Sequence, residues 1–175
     1  FQGGSHHSFF GLNSIFSLLF PEKCVSCDDE VRNKDKLFCF GCESRINWSR
    51  PYDKEINDQI LQGINLSNIE RAHSLFVFSK EGVEQSVIHR LKYQNSKQTG
   101  VLLGKKLGLK IKEAKCEVEL DCLIAVPVYH SKKYDRGYNQ SQSISKGLSL
   151  VLNIPIENSI LRKKRKTKTQ TKLSK

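Results

Sequence analysis

Four cysteines near the start of the chain limit its fold more than any other feature. Cys24 and Cys27 form a C-x2-C pair, and after eleven intervening residues Cys39 and Cys42 repeat it. Two residues between thiols let one tight turn aim both sulfurs at one point. Two such knuckles supply the four soft donors that tetrahedral zinc takes in a closed structural site. The loop from Asp28 to Phe38 holds Asp28, Asp29, Asn33 and Asp35, which suit a β-hairpin turn. Two disulfides, or four thiols packed in a core, are the competing readings. Four thiolates leave no open position for water, so a zinc ion here is expected to fold the segment and not to catalyse.

The rest of the 175 residues fits an α/β domain of ordinary size, so the expected order is a helix and zinc ribbon over residues 8–50 followed by an α/β domain over 51–175. A hydrophobic share of 38% is enough for a core. No apolar run reaches the roughly 18–20 residues that cross a bilayer. The best candidate, Phe9 to Phe20, is interrupted by Asn13 and two serines and reads as a short amphipathic helix ending at Pro21. A secretory leader is not expected, and reduced thiols point to the cytoplasm. Residues 1–7 include Gly3-Gly4-Ser5-His6-His7 and read as a tag remnant.

Beyond the knuckles, strand and helix patterns alternate. Tyr52 to Leu66 has a helical stripe, Arg71 to Ser79 suits a strand that turns at Glu81-Gly82, and Val83 to Tyr93 places Val83, Val87, Ile88 and Leu91 on one helical face. A helix over Thr99 to Glu113 carries Gly100, Gly104 and Gly108 at every fourth residue. Glycine weakens a helix, so the stripe predicts close approach of another backbone. Leu120 to Val128 is nearly continuous in apolar residues, as in a central parallel strand buried on both faces. Asn139 or Ser141 then caps a helix with Ile144, Leu148, Val151 and Leu152 inward, stopping at Asn153 before Pro155.

Ligands of open α/β sheets bind beyond the carboxyl ends of strands. Residues 127–140 follow such an end and contain His130, Lys132, Lys133, Arg136, Gly137, Asn139 and Gln140. The cations, a glycine able to expose backbone N–H groups and a helix start together form a cradle for phosphate or pyrophosphate. An ordinary basic loop is the competing reading. His130 is equally open as base, substrate contact or surface residue, and Cys122 reads as a small buried side chain. The last fifteen residues, 161–175, carry eight basic residues and no acid; removing those eight from the net charge of +11 leaves +3. Such a block is either a solvated tail or a segment that grips phosphates, of a small substrate or of nucleic acid.

At these residues the chain resembles the ComF/GntX family of phosphoribosyltransferase-like proteins with an N-terminal zinc ribbon. The match runs through Pro127, His130, Lys132 and Lys133 to Arg136-Gly137-Tyr138-Asn139-Gln140-Ser141, and resumes over Arg165 to Ser174. The resemblance implies a type I phosphoribosyltransferase-like parallel sheet, here incomplete, and transfer of a phosphoribosyl group from phosphoribosyl pyrophosphate with Mg2+. It puts His130, Lys132, Lys133, Arg136, Gly137, Asn139 and Gln140 on the pyrophosphate, and makes Arg162, Arg165, Thr167, Thr169 and Gln170 part of a mobile loop closing over it. The family's Asp-Asp and Thr-Thr-Gly-x-Thr loop for ribose phosphate has no counterpart here, so the chain is expected to stop short of a full enzyme. A link to DNA uptake implies a second reading, a non-catalytic single-stranded-DNA-binding accessory of the competence machinery.

Overall fold

The computed structural model describes residues 22–31, 36–50, 71–94, 96–114, 120–129 and 137–164, together with positions 58, 59, 62 and 69. Its elements are β1 (Glu22–Lys23), β2 (Glu30–Val31), α1 (Phe40–Glu43), α2 (Val83–Tyr93), α3 (Lys97–Glu113) and α4 (Gln140–Leu152). The helix expected at Phe9 to Phe20 lies outside the described residues. Of Tyr52 to Leu66 only positions 58, 59 and 62 are described, each helical.

The ribbon reverses direction earlier than its loop composition implied. β1 pairs antiparallel with β2, Glu22 opposite Val31 and Lys23 opposite Glu30. The turn between them is the first knuckle itself, closed by Cys24 N donating to Asp29 O at 2.7 Å and by Asp28 in the left-handed region at φ 63°. An aspartate tolerates that conformation better than most side chains. The second knuckle opens α1, whose short turn returns Cys42 and Glu43 N–H groups to the Cys39 carbonyl.

After the ribbon the chain pairs with the segment that precedes α2. Trp48 and Phe76 form an antiparallel bridge, with Ser49 N donating to Leu75 O and Val77 N to Asn47 O. The turn at 81–82 forms as its sequence predicts, but Glu81 (φ 67°) takes the left-handed conformation and Gly82 becomes the N-cap of α2. Val83, Val87 and Leu91 then face inward at i, i+4 and i+8, while Ile88 stays half-buried. They share one apolar cluster with Val25, Leu37, Phe38 and Ile46 of the ribbon and Leu102 and Leu103 of α3. Burying Val87 alone (1% exposed) contributes roughly 2 kcal/mol before entropy costs. Glu84, also 1% exposed, accepts the Asn47 N–H at 2.7 Å and ties the ribbon's exit to α2.

The glycine stripe does what its spacing predicts. A Cβ on Gly104 would run into the Ile144 carbonyl oxygen of α4, and a Cβ on Gly147 into that of Val101 on α3. The backbones of α3 and α4 therefore touch, with Ser143 against Gly100 and Val151 against Gly108. For that reason the fully buried positions of α4 are Gln140, Ser145 and Gly147, while Ile144, Leu148, Val151 and Leu152 are only half-buried. α4 ends at Asn153 (φ 58°), a left-handed C-cap two residues before Pro155.

The expected sheet is where the structure departs most from the sequence reading. Residues 120–128 form no strand of a sheet; among the described residues their backbone pairs with one segment, through a single parallel bridge between Leu123 and Ile156. Leu123 N donates to Pro155 O at 2.8 Å and Glu157 N to Leu123 O at 2.9 Å. The described residues combine helices and irregular segments with little strand, and contain no parallel sheet. Leu120, Ile124 and Val126 remain 51%, 41% and 68% exposed, so the run is not buried on both faces. One rung orders two segments side by side but covers neither face of them.

Candidate metal centre and anion pocket

The four knuckle cysteines converge. Their sulfurs all lie within 4.8 Å of one another, with Cys27 and Cys39 at 3.5 Å, and none is in a disulfide. Tetrahedral zinc with Zn–S bonds of about 2.3 Å needs sulfurs about 3.8 Å apart, so the cluster is of the right size. Cys24 and Cys42 are fully buried, and Cys27 and Cys39 close the outer side.

Backbone and side-chain donors prepare the sulfurs. Ser26 N approaches Cys24 Sγ at 3.5 Å, and Arg45 Nη2 approaches Cys42 Sγ at 3.4 Å. Burial opposes a Cys24 thiolate, but N–H groups of Cys27, Cys39 and Ser26 outweigh it and bring this thiol down to about 7. Cys42 is pushed up, first by burial and then by the Cys24 and Cys39 thiols. For Cys27 the Asp29 N–H favours the thiolate, yet desolvation, the Asp29 carboxylate and the adjacent thiols push it up. Four thiols so close cannot all ionise by themselves. A divalent cation removes the conflict, because coordinating thiols are deprotonated outright. The donor set fits a structural metal such as zinc.

The predicted cradle is described only in part. His130, Lys132, Lys133 and Arg136 lie outside the described residues, as do Arg165, Thr167, Thr169 and Gln170 of the expected loop. Arg162 is described and is exposed. Gly137 takes φ 72°, a conformation that strains any side chain, and turns the chain into α4. The neighbouring Tyr138 is 4% exposed and donates its hydroxyl to the Leu91 carbonyl at 2.6 Å, anchoring the turn where α2 ends. Asn139 is the N-cap: its Oδ1 accepts the Ser141 N–H at 3.0 Å, while its Nδ2 donates to Val126 O at 3.2 Å. Its carboxamide thus fastens the helix start to the apolar run 120–128. Gln140 is buried and does not line the hollow in front of α4.

That hollow, of about 600 Å3, is bounded by Gly137 and Asn139, by Gln142 and Lys146 of α4, and by Lys97 of α3. Its described lining carries two lysines and no carboxylate. Gln142 Nε2 donates to Asn158 Oδ1 at 3.1 Å across its rim. Lys97, Gln142 and Lys146 escaped the reading of residues 127–140, since two sit on the next helix and one on α3. A signal existed in the i, i+4 spacing of Gln142 and Lys146 beyond the Asn139 cap.

No helix of the described residues is long and apolar enough to cross a membrane. No protein-family model and no solved structure matches the chain. Among curated proteins, Competence protein F of Haemophilus influenzae is 30% identical over 164 residues, which span 89% of this chain and 71% of that protein. With that likeness along most of both sequences, and with the clustered ribbon cysteines, the chain belongs to the ComF family.

Proposed function

We propose that this chain acts in competence, as the name of its relative says of that protein, and that the hollow before α4 receives the pyrophosphate of phosphoribosyl pyrophosphate. The observation that carries the reading is the lining: a left-handed glycine, a helix start and the cations Lys97 and Lys146, with no acid among the described residues. In phosphoribosyl transfer, negative charge grows on the departing pyrophosphate as the anomeric carbon becomes oxocarbenium-like. Fixed N–H groups and cations at that place lower the barrier without reorganising. Gly137 and the first turn of α4 would supply the N–H groups, Lys97 and Lys146 the charge, and Tyr138 and Asn139 the fixed geometry. Magnesium, when bound with the substrate, would supply further neutralisation of the phosphates. The basic segment from Arg162 onward would close over the substrate and exclude water. Thiol ligands kept reduced fit a cytoplasmic setting.

The test is titration calorimetry with pyrophosphate at low ionic strength. Binding is expected, and Lys146→Ala should weaken it about tenfold, the loss of one hydrogen bond to a charged group. Turnover of phosphoribosyl pyrophosphate by the 175-residue chain is not expected, since the Asp-Asp and Thr-Gly loop is not in it. Absence of pyrophosphate binding, or binding indifferent to Lys97 and Lys146, overturns the assignment. A second reading, a single-stranded-DNA-binding competence accessory, is favoured by a separate group of lysines beside the ribbon.

A further inference from the structure

The largest of the described hollows outside the α4 site lies between the ribbon and α3. It measures about 680 Å3 and has Trp48 and Leu109 in its wall, with Lys36, Lys105, Lys106 and Lys110 around them. A second hollow of about 220 Å3 shares Lys36, Leu37 and Leu102 with the first and adds Lys23 and Arg90. Together the two linings hold six cations against two carboxylates, Glu43 and Glu113. Three of the cations are held in place. Lys106 pairs with Glu43 at 2.6 Å and stands over the Trp48 ring at 4.3 Å. Lys110 lies 5.9 Å from the same ring and donates to the Ser49 and Leu75 carbonyls; burial lowers its pKa. Arg90 pairs with Asp28. Lys23, Lys36 and Lys105 have no carboxylate partner among the described residues.

We infer that this groove binds single-stranded nucleic acid, with the backbone along Lys36, Lys105 and Lys106 and a base against Trp48. The inference rests on the second reading above and gives it a location. Three features favour a strand over a small anion. The cations are spread over two joined hollows and not focused on one point. Lys105, Lys106 and Lys110 span more than a turn of one helix, about 7.5 Å of rise from the first to the last. An aromatic wall beside phosphate-binding lysines is what a sequence-tolerant strand uses, since every base has a face to stack. Lys106 covers the indole face, so an entering base displaces it towards the phosphate that arrives with that base. A duplex offers no exposed base to do this.

Trp48 is the chain's single tryptophan, so its fluorescence reports on the groove alone. The full chain, loaded with zinc, is titrated with an oligothymidylate at several salt concentrations. Quenching of Trp48 is expected, with affinity falling as salt rises. The double variant Lys36→Glu/Lys105→Glu should weaken binding about tenfold or more and flatten the log–log salt slope by roughly 1.4, two phosphate contacts at about 0.7 each. Lys80→Glu/Lys92→Glu makes the same change in net charge outside the hollows and should retain most of the affinity. Far-ultraviolet circular dichroism and zinc content check that each variant folds.

Binding without quenching, or equal losses in the two double variants, overturns the groove while leaving DNA binding elsewhere intact. No binding of oligothymidylate at all overturns both. Quenching by polyglutamate but not by the oligonucleotide transfers the groove to an acidic protein partner and also overturns the inference. Pyrophosphate should not compete with the oligonucleotide; full competition would place both ligands at the α4 pocket and refute a separate site.

Discussion

The ribbon and the run from Leu120 to Asn158 were both legible as motifs, yet they reach their shapes by opposite routes. In the ribbon, four side chains at fixed sequence separations bring their own ends together, and Cys24 and Cys42 are fully buried. In the second region the described residues make one parallel rung, and Ile124 and Val126 stay at the surface. Much of the order in the second region comes from outside it, from α3 pressed backbone to backbone on α4 and from Tyr138 reaching Leu91, and Asn139 then ties α4 to Val126. A local motif carries its geometry with it, whereas a strand carries only a pattern that neighbours must complete.

The comparison breaks most readily at the metal. Elemental analysis should find one zinc per chain, and Cys42→Ser should remove it and unfold residues 22–50. Structural zinc sites contribute on the order of 10 kcal/mol, so amide exchange in the ribbon should rise by orders of magnitude while α3 and α4 keep most of their protection. Lowering the pH should release the metal as protons compete for the thiolates. Four thiols found paired as disulfides in metal-free protein would end the idea.

Gly147→Ala attacks the other region at its support. The new Cβ meets the Val101 carbonyl, which is backbone and cannot turn away, so the helices must separate. A loss of about 3 kcal/mol in urea unfolding is expected, with zinc content unchanged. If zinc is lost as well, the two regions are more tightly coupled than their shared core implies.

Tyr138→Phe is a gentler test of the same region. It leaves the Leu91 carbonyl without its buried partner and should cost about 1–2 kcal/mol. Pyrophosphate affinity should fall with it if this anchor positions Gly137; unaltered affinity would separate the anchor from the pocket. The smallest effect is expected from Asp28→Asn, which keeps a side chain tolerant of the left-handed turn and removes the pair with Arg90 at 2.7 Å. Because Asp28 is 58% exposed, the loss should be about 0.5 kcal/mol and should shrink with salt.

Cysteine spacing by itself determined the candidate metal ligands, since two-residue knuckles have few ways to close. Periodicity and caps determined α2, α3 and α4 nearly to their ends, because those signals are local: Asn139 caps α4 and Asn153 ends it. The glycine stripe determined that a backbone would approach α3, though not which one. Tertiary structure alone decided that the partner is α4, that its buried positions are Gln140, Ser145 and Gly147, and that the apolar run 120–128 stays exposed at Leu120, Ile124 and Val126. It alone placed Lys97 and Lys146 in one hollow and gathered Lys36, Trp48 and Lys105 in another. The reason is distance along the chain. A cap or knuckle joins residues within a few positions, where backbone geometry leaves few choices, whereas Lys36 and Lys105 meet only after every element between them has packed.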